Sequence, residues 1–447
     1  MHVNHKHITV FGGGSAGLAV GYYAKKNTFP FTIHEASDHI GGNCITFKHG
    51  DFLFDSGAHR LHDRDAEVTE ELKNLIGEDL RRINVPSQIY HNRKFIDFPL
   101  SPFNLIQNLG FYSFLKSAGD LLLSRLRSNG TNGSFEHLAA KMYGKSIAQR
   151  FLFNYSEKLW GLPCNRLSNT IAGKRLKGLN LRTFFIEAIL GHKKKTEHLE
   201  GSSFYYPKKG IGSISEKLGE FCGEENILKS SKITKLIHNE KCILAAEINN
   251  DRIIELQEVV NTLPLDFLLK IIEPKPPDEI VSLGKGLSYR NIILVTFLID
   301  RESVTNVATV YFPDAAIPFT RVYEPKNRSP YMAPAGKTSL VAEIPCQRGD
   351  RVWGMQDNDL VQLVCSRLVQ MGWIKEIELI DALVYRLNYA YPVLGIDYEK
   401  KIHKLIAYLR NFNNLKLTGR NAKFMYSWIH DIMRSGKEII QEYGQTL

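Results

Sequence analysis

No stretch of this chain is apolar for long enough to cross a bilayer. The longest strongly apolar run, Ile292 to Ile299 with a single Thr, is far shorter than a spanning helix needs. Cysteine is sparse as well. Cys44, Cys164, Cys222, Cys242, Cys346 and Cys365 form no CxxC pair and follow no regular spacing, which excludes a zinc or disulfide framework and leaves reduced thiols. No metal ligand set is expected. Internal repeats and long low-complexity linkers are missing too, although Ser128 to Gly133 reads as an exposed loop. The first residues, Met1 to His7, carry no apolar signal region, so a cytoplasmic location is the expectation. Charge of one sign is not concentrated either. The net charge of +10 comes from 57 basic and 47 acidic residues spread along the chain, with Lys193-Lys194-Lys195 the one triple. That pattern argues against a nucleic-acid partner and suits an anionic small substrate or plain solubility. At 447 residues, with 43% hydrophobic and 23% charged content, two or three ordinary globular domains are expected.

What is present begins with a glycine turn, Gly12-x-Gly14-x-x-Gly17. It follows an apolar strand, Ile8 to Phe11, and precedes a helix-compatible run, Leu18 to Lys26. Eighteen residues past Gly17, the strand-like Phe31 to His34 ends on Glu35. This is the layout of the first βαβ unit of a dinucleotide fold. Gly12 permits the tight turn, Gly14 lets the backbone approach a pyrophosphate, and Gly17 lets helix pack on strand. The pyrophosphate then lies on amides at the helix start, around Ser15 and Ala16, where the dipole favours anions. Glu35 is placed to accept from ribose hydroxyls.

Three dinucleotide-type pieces are separated by two insertions. The expected segments are 1–98, the first part of the cofactor domain; 99–200, a helical insertion; 201–278, its second part; 279–394, a mixed sheet facing the substrate; and 395–447, its third part. Strands are expected at Ile233 to Ile237, Glu258 to Asn261, Asn291 to Ile299, Val307 to Phe312, Thr338 to Ile344 and Leu415 to Thr418. Helices are expected at Ser213 to Cys222, around Leu360, Leu363, Val364 and Leu368, and after Gly419 through Glu442.

After Glu35 come Ile40-Gly41-Gly42-Asn43 and then Gly57-Ala58-His59-Arg60-Leu61-His62. A nicotinamide enzyme needs no second glycine pair here. A flavin nucleotide is longer, and a Gly-Gly turn lets backbone amides pass close to its ribityl and phosphate region.

These segments resemble those of the UDP-galactopyranose mutases, within the wider flavoprotein group of amine oxidases and protoporphyrinogen oxidases. Gly41-Gly42-Asn43 and Gly57-Ala58-His59-x-x-His62 resemble GGN and GAHxxH, which line the flavin. Lys158-Leu159-Trp160-Gly161 resembles KQWG, whose Trp stacks on uracil. Lys174-Arg175-Leu176 resembles KRLP, and Leu287-Ser288-Tyr289-Arg290 resembles LxYRS; each carries an arginine for the substrate diphosphate. Ile317 to Lys326 resembles VPYTRxxExK, and Gly419-Arg420 with Tyr426 resembles GRxxxYxY. The chain departs from the family after that tyrosine, reading Ser427-Trp428-Ile429-His430-Asp431 where YDMD is usual. The segment from about 347 to 394 looks more like the long mutases and the oxidases.

The resemblance implies an α/β fold: a Rossmann-like FAD-binding domain of the GR2 type, an inserted helical domain and an antiparallel β-sheet substrate domain. It implies FAD held by Gly12, Gly14, Ser15, Ala16, Gly17, Glu35, Gly41, Gly42, Asn43, His59, Ile233, Gly419 and Arg420. It implies a nucleotide sugar held by Trp160, Arg175, Arg290 and Tyr426, with His59, Arg175 and Arg290 serving the chemistry. Reduced FAD, kept reduced by an external reductant such as NAD(P)H, would attack the anomeric carbon through N5 and exchange pyranose for furanose in surface glycan biosynthesis. Arginine suits the departing diphosphate because it is always charged and binds in fork geometry. Taken singly, Trp160 reads more often as a core residue, Arg175 and Arg290 more often as solvated surface cations, and Tyr426 equally as buried packing. Hydride abstraction by an oxidase on the same scaffold, or a non-catalytic flavin-binding subunit, are the alternatives.

Overall fold

The computed structural model describes residues 6–98, 119, 133–176 and 203–445, with side chains at 173–176 excepted. The expected loop at 128–132, the lysine triple at 193–195 and most of the helical insertion at 99–200 lie outside the described residues.

The first sheet is parallel, in the order Leu415–Leu417, Glu258–Asn261, Ile8–Phe11, Phe31–His34, Ile227–Leu228. Its strands come from three distant parts of the chain. All four residues of Ile8–Phe11 are buried, as expected for a parallel strand covered on both faces. The helix Ser15–Lys26 covers one face, and every residue from Ala16 to Ala24 is buried. It can be apolar all round because Gly212–Cys222 and Ile429–Gln445 pack on its outer sides. Close approach is bought by small residues: a Cβ on Gly436 would lie 3.2 Å from Ala19 Cβ, and one on Gly21 would lie 2.9 Å from Cys222 Sγ. The opposite face carries Phe11, Val259 and Leu415 against the helices Leu265–Ile271 and Tyr398–Leu409. Each buried aliphatic or aromatic side chain contributes roughly 1.5–3 kcal/mol there.

The second large sheet has seven strands, in the order Leu379–Pro392, Tyr289–Ile299, Thr338–Cys346, Arg321–Tyr323, Thr309–Tyr311, Ser87–His91, Lys94–Phe98. Its pairings are antiparallel except between Thr309–Tyr311 and Ser87–His91. The hairpin Ser87 to Phe98 therefore extends this sheet, not the first. Along the central strand the side chains alternate. Ile293, Val295, Phe297 and Ile299 meet Leu360, Val364 and Leu368 of the helix Asp357–Gln370. Ile292 and Leu294 turn the other way, toward Phe54 and the cofactor domain.

The hairpin Thr46–His49 and Phe52–Asp55 wedges between the two units. Its anchor is Asp55, fully buried, whose carboxylate accepts from Thr46 Oγ1 at 2.7 Å, the Ile211 amide at 3.0 Å and the Tyr206 hydroxyl. Burial pushes this carboxyl's pKa up, and those three donors hold it down in part. A helical lobe, Phe135–Tyr143 and then Lys145 through Trp160 with a π-helical turn at Gln149–Phe153, packs around Phe135, Phe153 and Trp160. Among the described residues no helix is long and apolar enough to cross a membrane.

Candidate active site

The turn after Ile8–Phe11 is shaped by two glycines. Gly12 sits at φ +99°, and a Cβ there would lie 2.3 Å from Thr262 Oγ1. A Cβ on Gly17 would come within 1.9 Å of the Gly12 carbonyl oxygen, so the helix could not start against its strand. Gly14 differs. It is extended, at φ −71° and ψ 176°, and a Cβ would meet nothing in the chain closer than Gly42 Cα at 3.7 Å. Its bareness keeps the open side of the turn clear. The helix that follows has no side-chain cap and no acid in its first turn, so nothing on it neutralises the positive end of its dipole at Ser15 and Ala16.

Glu35 closes the rim of this turn. Its Oε2 accepts from the Gly13 amide at 2.7 Å, and its Oε1 accepts from the Ser37 amide and hydroxyl at 2.8 and 2.6 Å. Each carboxylate oxygen can accept more than one hydrogen bond, so Oε2 can also serve a ribose hydroxyl. The second glycine turn docks on the first: the Gly41 amide donates to Gly13 O at 2.9 Å, and Gly14 and Gly41 form a parallel bridge. A Cβ on Gly42 would lie 3.2 Å from Gly14 Cα, and one on Gly419 would lie 2.8 Å from Ala16 Cβ. Three side-chain-free turns thus meet at one helix start. That cradle, with a carboxylate at its rim, fits a dinucleotide diphosphate and ribose.

Two other expected cofactor residues have their side chains engaged within the chain. Asn43 donates its amide to Asn388 O and Tyr389 O, both at 3.1 Å, so its side chain reaches the seven-stranded sheet. Ile233 is 3% exposed in a separate four-stranded sheet, and its side chain belongs to the core cluster that includes Phe11.

His59 lies past the cradle. Its Nε2 is 3.3 Å from Ser56 Oγ. Desolvation, and then the guanidiniums of Arg420, Arg321 and Arg328, push its pKa down to about 3, so the imidazole is neutral at physiological pH. Arg420 donates to Ala390 O at 3.0 Å and to Ser427 O at 2.9 Å, and its guanidinium stands over the rings of Tyr426 and Tyr391 at 4.9 and 5.4 Å. Those two tyrosines are stacked, with an interplanar angle of 17°. Tyr426 therefore joins the cation cluster beside His59.

Trp160 and Arg290 are brought near the cluster but engaged otherwise. Trp160 is 6% exposed, packed in the helical lobe with ring contacts to Tyr391 and Tyr426. Arg290 is 5% exposed; its Nε and Nη2 donate to Leu159 O and Lys158 O, each at 3.1 Å. It thereby satisfies last-turn carbonyls of the helix Asn154–Trp160, where a cation also suits the dipole. Its Nη1 faces Asp350 at 3.8 Å. Arg175 belongs to the short helix Asn169–Leu176, and its side chain lies outside the described residues.

Five further residues, Arg321, Glu343, Tyr391, Arg328 and Lys158, complete the site. Arg321 pairs with the fully buried Glu343 and donates to Tyr391 Oη at 3.0 Å, while the other Glu343 oxygen accepts from the Ala58 amide at 2.8 Å. Arg328, 3% exposed, donates to Ala308 O at 3.2 Å and stands over Tyr323 at 4.6 Å. Lys158 donates to Phe312 O, Asp314 O and Phe319 O at 2.8, 2.8 and 2.9 Å. Burial drags that amine's pKa down to about 7, yet only an ammonium carries three protons for three carbonyls, so we assign it as charged. Arg321 sat inside a segment the sequence singled out. Glu343, Tyr391 and Arg328 could be assigned only once the sheet brought them beside His59.

The comparisons with known proteins agree with this geometry. The family model for flavin containing amine oxidoreductases matches residues 15–396. The chain is 23% identical to the coproporphyrinogen III oxidase of Bacillus subtilis (strain 168), over 98% of this chain and 97% of that protein. Its fold matches the crystal structure of a reduced UDP-galactopyranose mutase with a TM-score of 0.87 at 18% identity, covering 99% of this chain and 96% of the other. It also matches a protoporphyrinogen-oxidase-like protein from Exiguobacterium sp. 255-15, with a TM-score of 0.78 at 17% identity and 99% of both chains covered. The structural likenesses are likenesses of fold, and they agree with the expected α/β class. The family model spans most of the chain, and its flavin is what the glycine cradle fits: the chain belongs to the flavin-containing amine oxidoreductase family.

Proposed function

We propose that this protein uses FAD to act on a nucleotide-activated sugar, exchanging ring forms at the anomeric carbon, in the manner of the mutases it resembles. One observation carries the reading: the guanidiniums of Arg420, Arg321 and Arg328 gather about His59 beside the stacked pair Tyr391 and Tyr426. Burial first, and then this positive field, in which Arg321 is matched by Glu343, keep His59 neutral. Such a field attracts a diphosphate and repels a protonated amine, which counts against amine oxidation.

FAD would be held by the amides around Gly12, Gly14, Ser15, Ala16 and Gly17, by Glu35 on the ribose, and by the turns at Gly41-Gly42 and Gly419. When bound it supplies a ring that is a nucleophile if reduced and a hydride acceptor if oxidised. The chain's own residues do the rest. Arg420 spends two donors on carbonyls and keeps its charge over the tyrosines, positioned to stabilise the oxygens of a departing diphosphate. The Arg321 charge is matched by Glu343, so its task is to orient the Tyr391 hydroxyl. His59, being neutral, can donate or accept one hydrogen bond beside the flavin but adds no charge. Arg175 remains the second candidate for the diphosphate. Arg290 holds the lobe that carries Trp160, and reaches substrate only through Nη1.

A second reading, oxidation of an anionic porphyrinogen, is favoured by the coproporphyrinogen III oxidase relative and suits the same positive field. One experiment separates the two. The purified protein is incubated anaerobically with dithionite and UDP-galactose, and separately in air with coproporphyrinogen III. The proposal expects the furanose form only in the first. Porphyrin formation with oxygen uptake, and no furanose, would replace it with the second.

A further inference from the structure

The substrate-side strand contains one backbone position that its residue would not choose. Tyr389 sits at φ +55° within the strand Leu379–Pro392. For a bulky aromatic this is a rare conformation that persists only when its surroundings enforce it. The strand pairing is broken at the same place. Arg290 pairs with Tyr391 and Ile292 with Leu387, so two steps on one strand match four on the other.

Three asparagines, from three separate segments, hold this bulge. The Tyr389 amide, which lacks a ladder partner, donates to Asn291 Oδ1 at 3.1 Å. The Tyr389 carbonyl accepts from Asn43 Nδ2 at 3.1 Å and from Asn421 Nδ2 at 3.0 Å. Asn43 ends the second glycine turn, and Asn421 follows Arg420. The Asn421 Oδ1 is buried without a hydrogen-bond partner, so its amide orientation is set by donation to Tyr389 O. The next carbonyl, Ala390 O, accepts from Arg420, and the next side chain is Tyr391.

We propose that Asn43 and Asn421 are positioning residues: by clamping the strained carbonyl of Tyr389 they fix Tyr391 and Arg420 relative to the cofactor turns. The bulge turns Tyr389 out of the alternation, into the core beside Tyr289, while Tyr391 keeps the face of Leu383, Tyr385 and Leu387 and meets Arg321 and Tyr426. The device joins the cofactor domain to the substrate sheet through backbone rather than through apolar packing. Its consequence for binding rests on the reading above, that Tyr391 and Arg420 face the substrate.

The test uses the FAD-loaded full-length protein with 3-fluorotyrosine placed at position 391. In the parent protein the fluorine resonance should be single and sharp. In Asn421→Ala it should shift or split, because the carbonyl loses one of its two donors and the strained backbone can relax. Tyr389→Asn introduces a residue that tolerates positive φ, so adding Asn421→Ala to that background should move the resonance little. In parallel, UDP affinity, read from the flavin spectrum, should fall about tenfold in Asn421→Ala but change little when Asn421→Ala is added to Tyr389→Asn. An unmoved fluorine resonance in Asn421→Ala would overturn the proposal, as would equal effects in both backgrounds. If UDP leaves the parent spectrum unchanged, the nucleotide-sugar reading fails, and the fluorine measurements still decide the clamp.

Discussion

Two alanine substitutions in the same glycine turn should fail in opposite ways. At Gly17 the added methyl carbon would lie 1.9 Å from the Gly12 carbonyl oxygen, whereas real Cβ contacts essentially never fall below 3.0 Å. The helix Ser15–Lys26 would have to retreat by more than about 1 Å from a sheet it covers with nine buried residues. Overpacking of this kind costs about 1–3 kcal/mol, more when backbone must move. Gly17→Ala should therefore lower the thermal midpoint even of the apoprotein. At Gly14 the backbone is extended, which any residue tolerates, and the methyl would make ordinary contacts at most, the nearest Gly42 Cα at 3.7 Å. Gly14→Ala should leave the apoprotein as stable as its parent. Its methyl instead projects where the diphosphate must approach the helix amides. Losing one or two charge-assisted hydrogen bonds, each worth roughly 1.5–3 kcal/mol, weakens FAD binding by about tenfold to several hundredfold or more. The assay is apoprotein melting by circular dichroism, followed by titration of FAD into the apoprotein by flavin fluorescence. An apo Gly14→Ala protein that binds FAD like the parent would refute the placement of the cofactor on this turn.

Further outcomes follow from the same structure. The imidazole of His59 has its pKa pushed down from about 6.5 to about 3 in the fold, so the unfolded chain binds more protons between those values. Stability should fall as pH drops through this window, by at most about 1.4 kcal/mol per pH unit, and should not depend on His59 above it; His59→Gln should flatten the slope of the thermal midpoint between about pH 6 and pH 4.5. His34, buried against Ser231 and held down to about 4, adds a similar slope that His59→Gln leaves in place. Arg290→Ala should destabilise by roughly 2–4 kcal/mol in chemical denaturation, because Lys158 O and Leu159 O lose a buried charged donor. Parent-like stability with lost nucleotide binding would instead make Arg290 a substrate ligand. Tyr206→Phe removes one of the donors on the buried Asp55 carboxylate and should cost about 2–3 kcal/mol, while Asp55→Asn in the same background should recover part of it.

Much of the cofactor half was legible in the sequence because its rules are local. A strand, a turn of fixed glycine spacing and a helix occupy consecutive residues, and the structure places Ile8–Phe11, Ser15–Lys26 and Phe31–His34 as those rules require. The strands Glu258–Asn261 and Tyr289–Ile299 were visible as apolar runs for the same reason. The long strand Leu379–Pro392 was not, because its face toward the edge is partly polar and its bulge interrupts the alternation.

The half expected to face substrate depended on tertiary structure. The family resemblance marked Trp160, Arg290 and Asn43 for ligand contact. The fold gave Trp160 a core position, turned Arg290 onto helix carbonyls and turned Asn43 onto Tyr389. Partners such as Arg321 and Glu343, or His59 and Arg420, are separated along the chain and leave no spacing to read. Sequence alone determined that a dinucleotide-type cofactor has a cradle here, since backbone sterics and a helix dipole act over a few residues. Which cations stand over which rings was decided only when distant strands paired, because charge and aromatic stacking act through space and take no account of chain order.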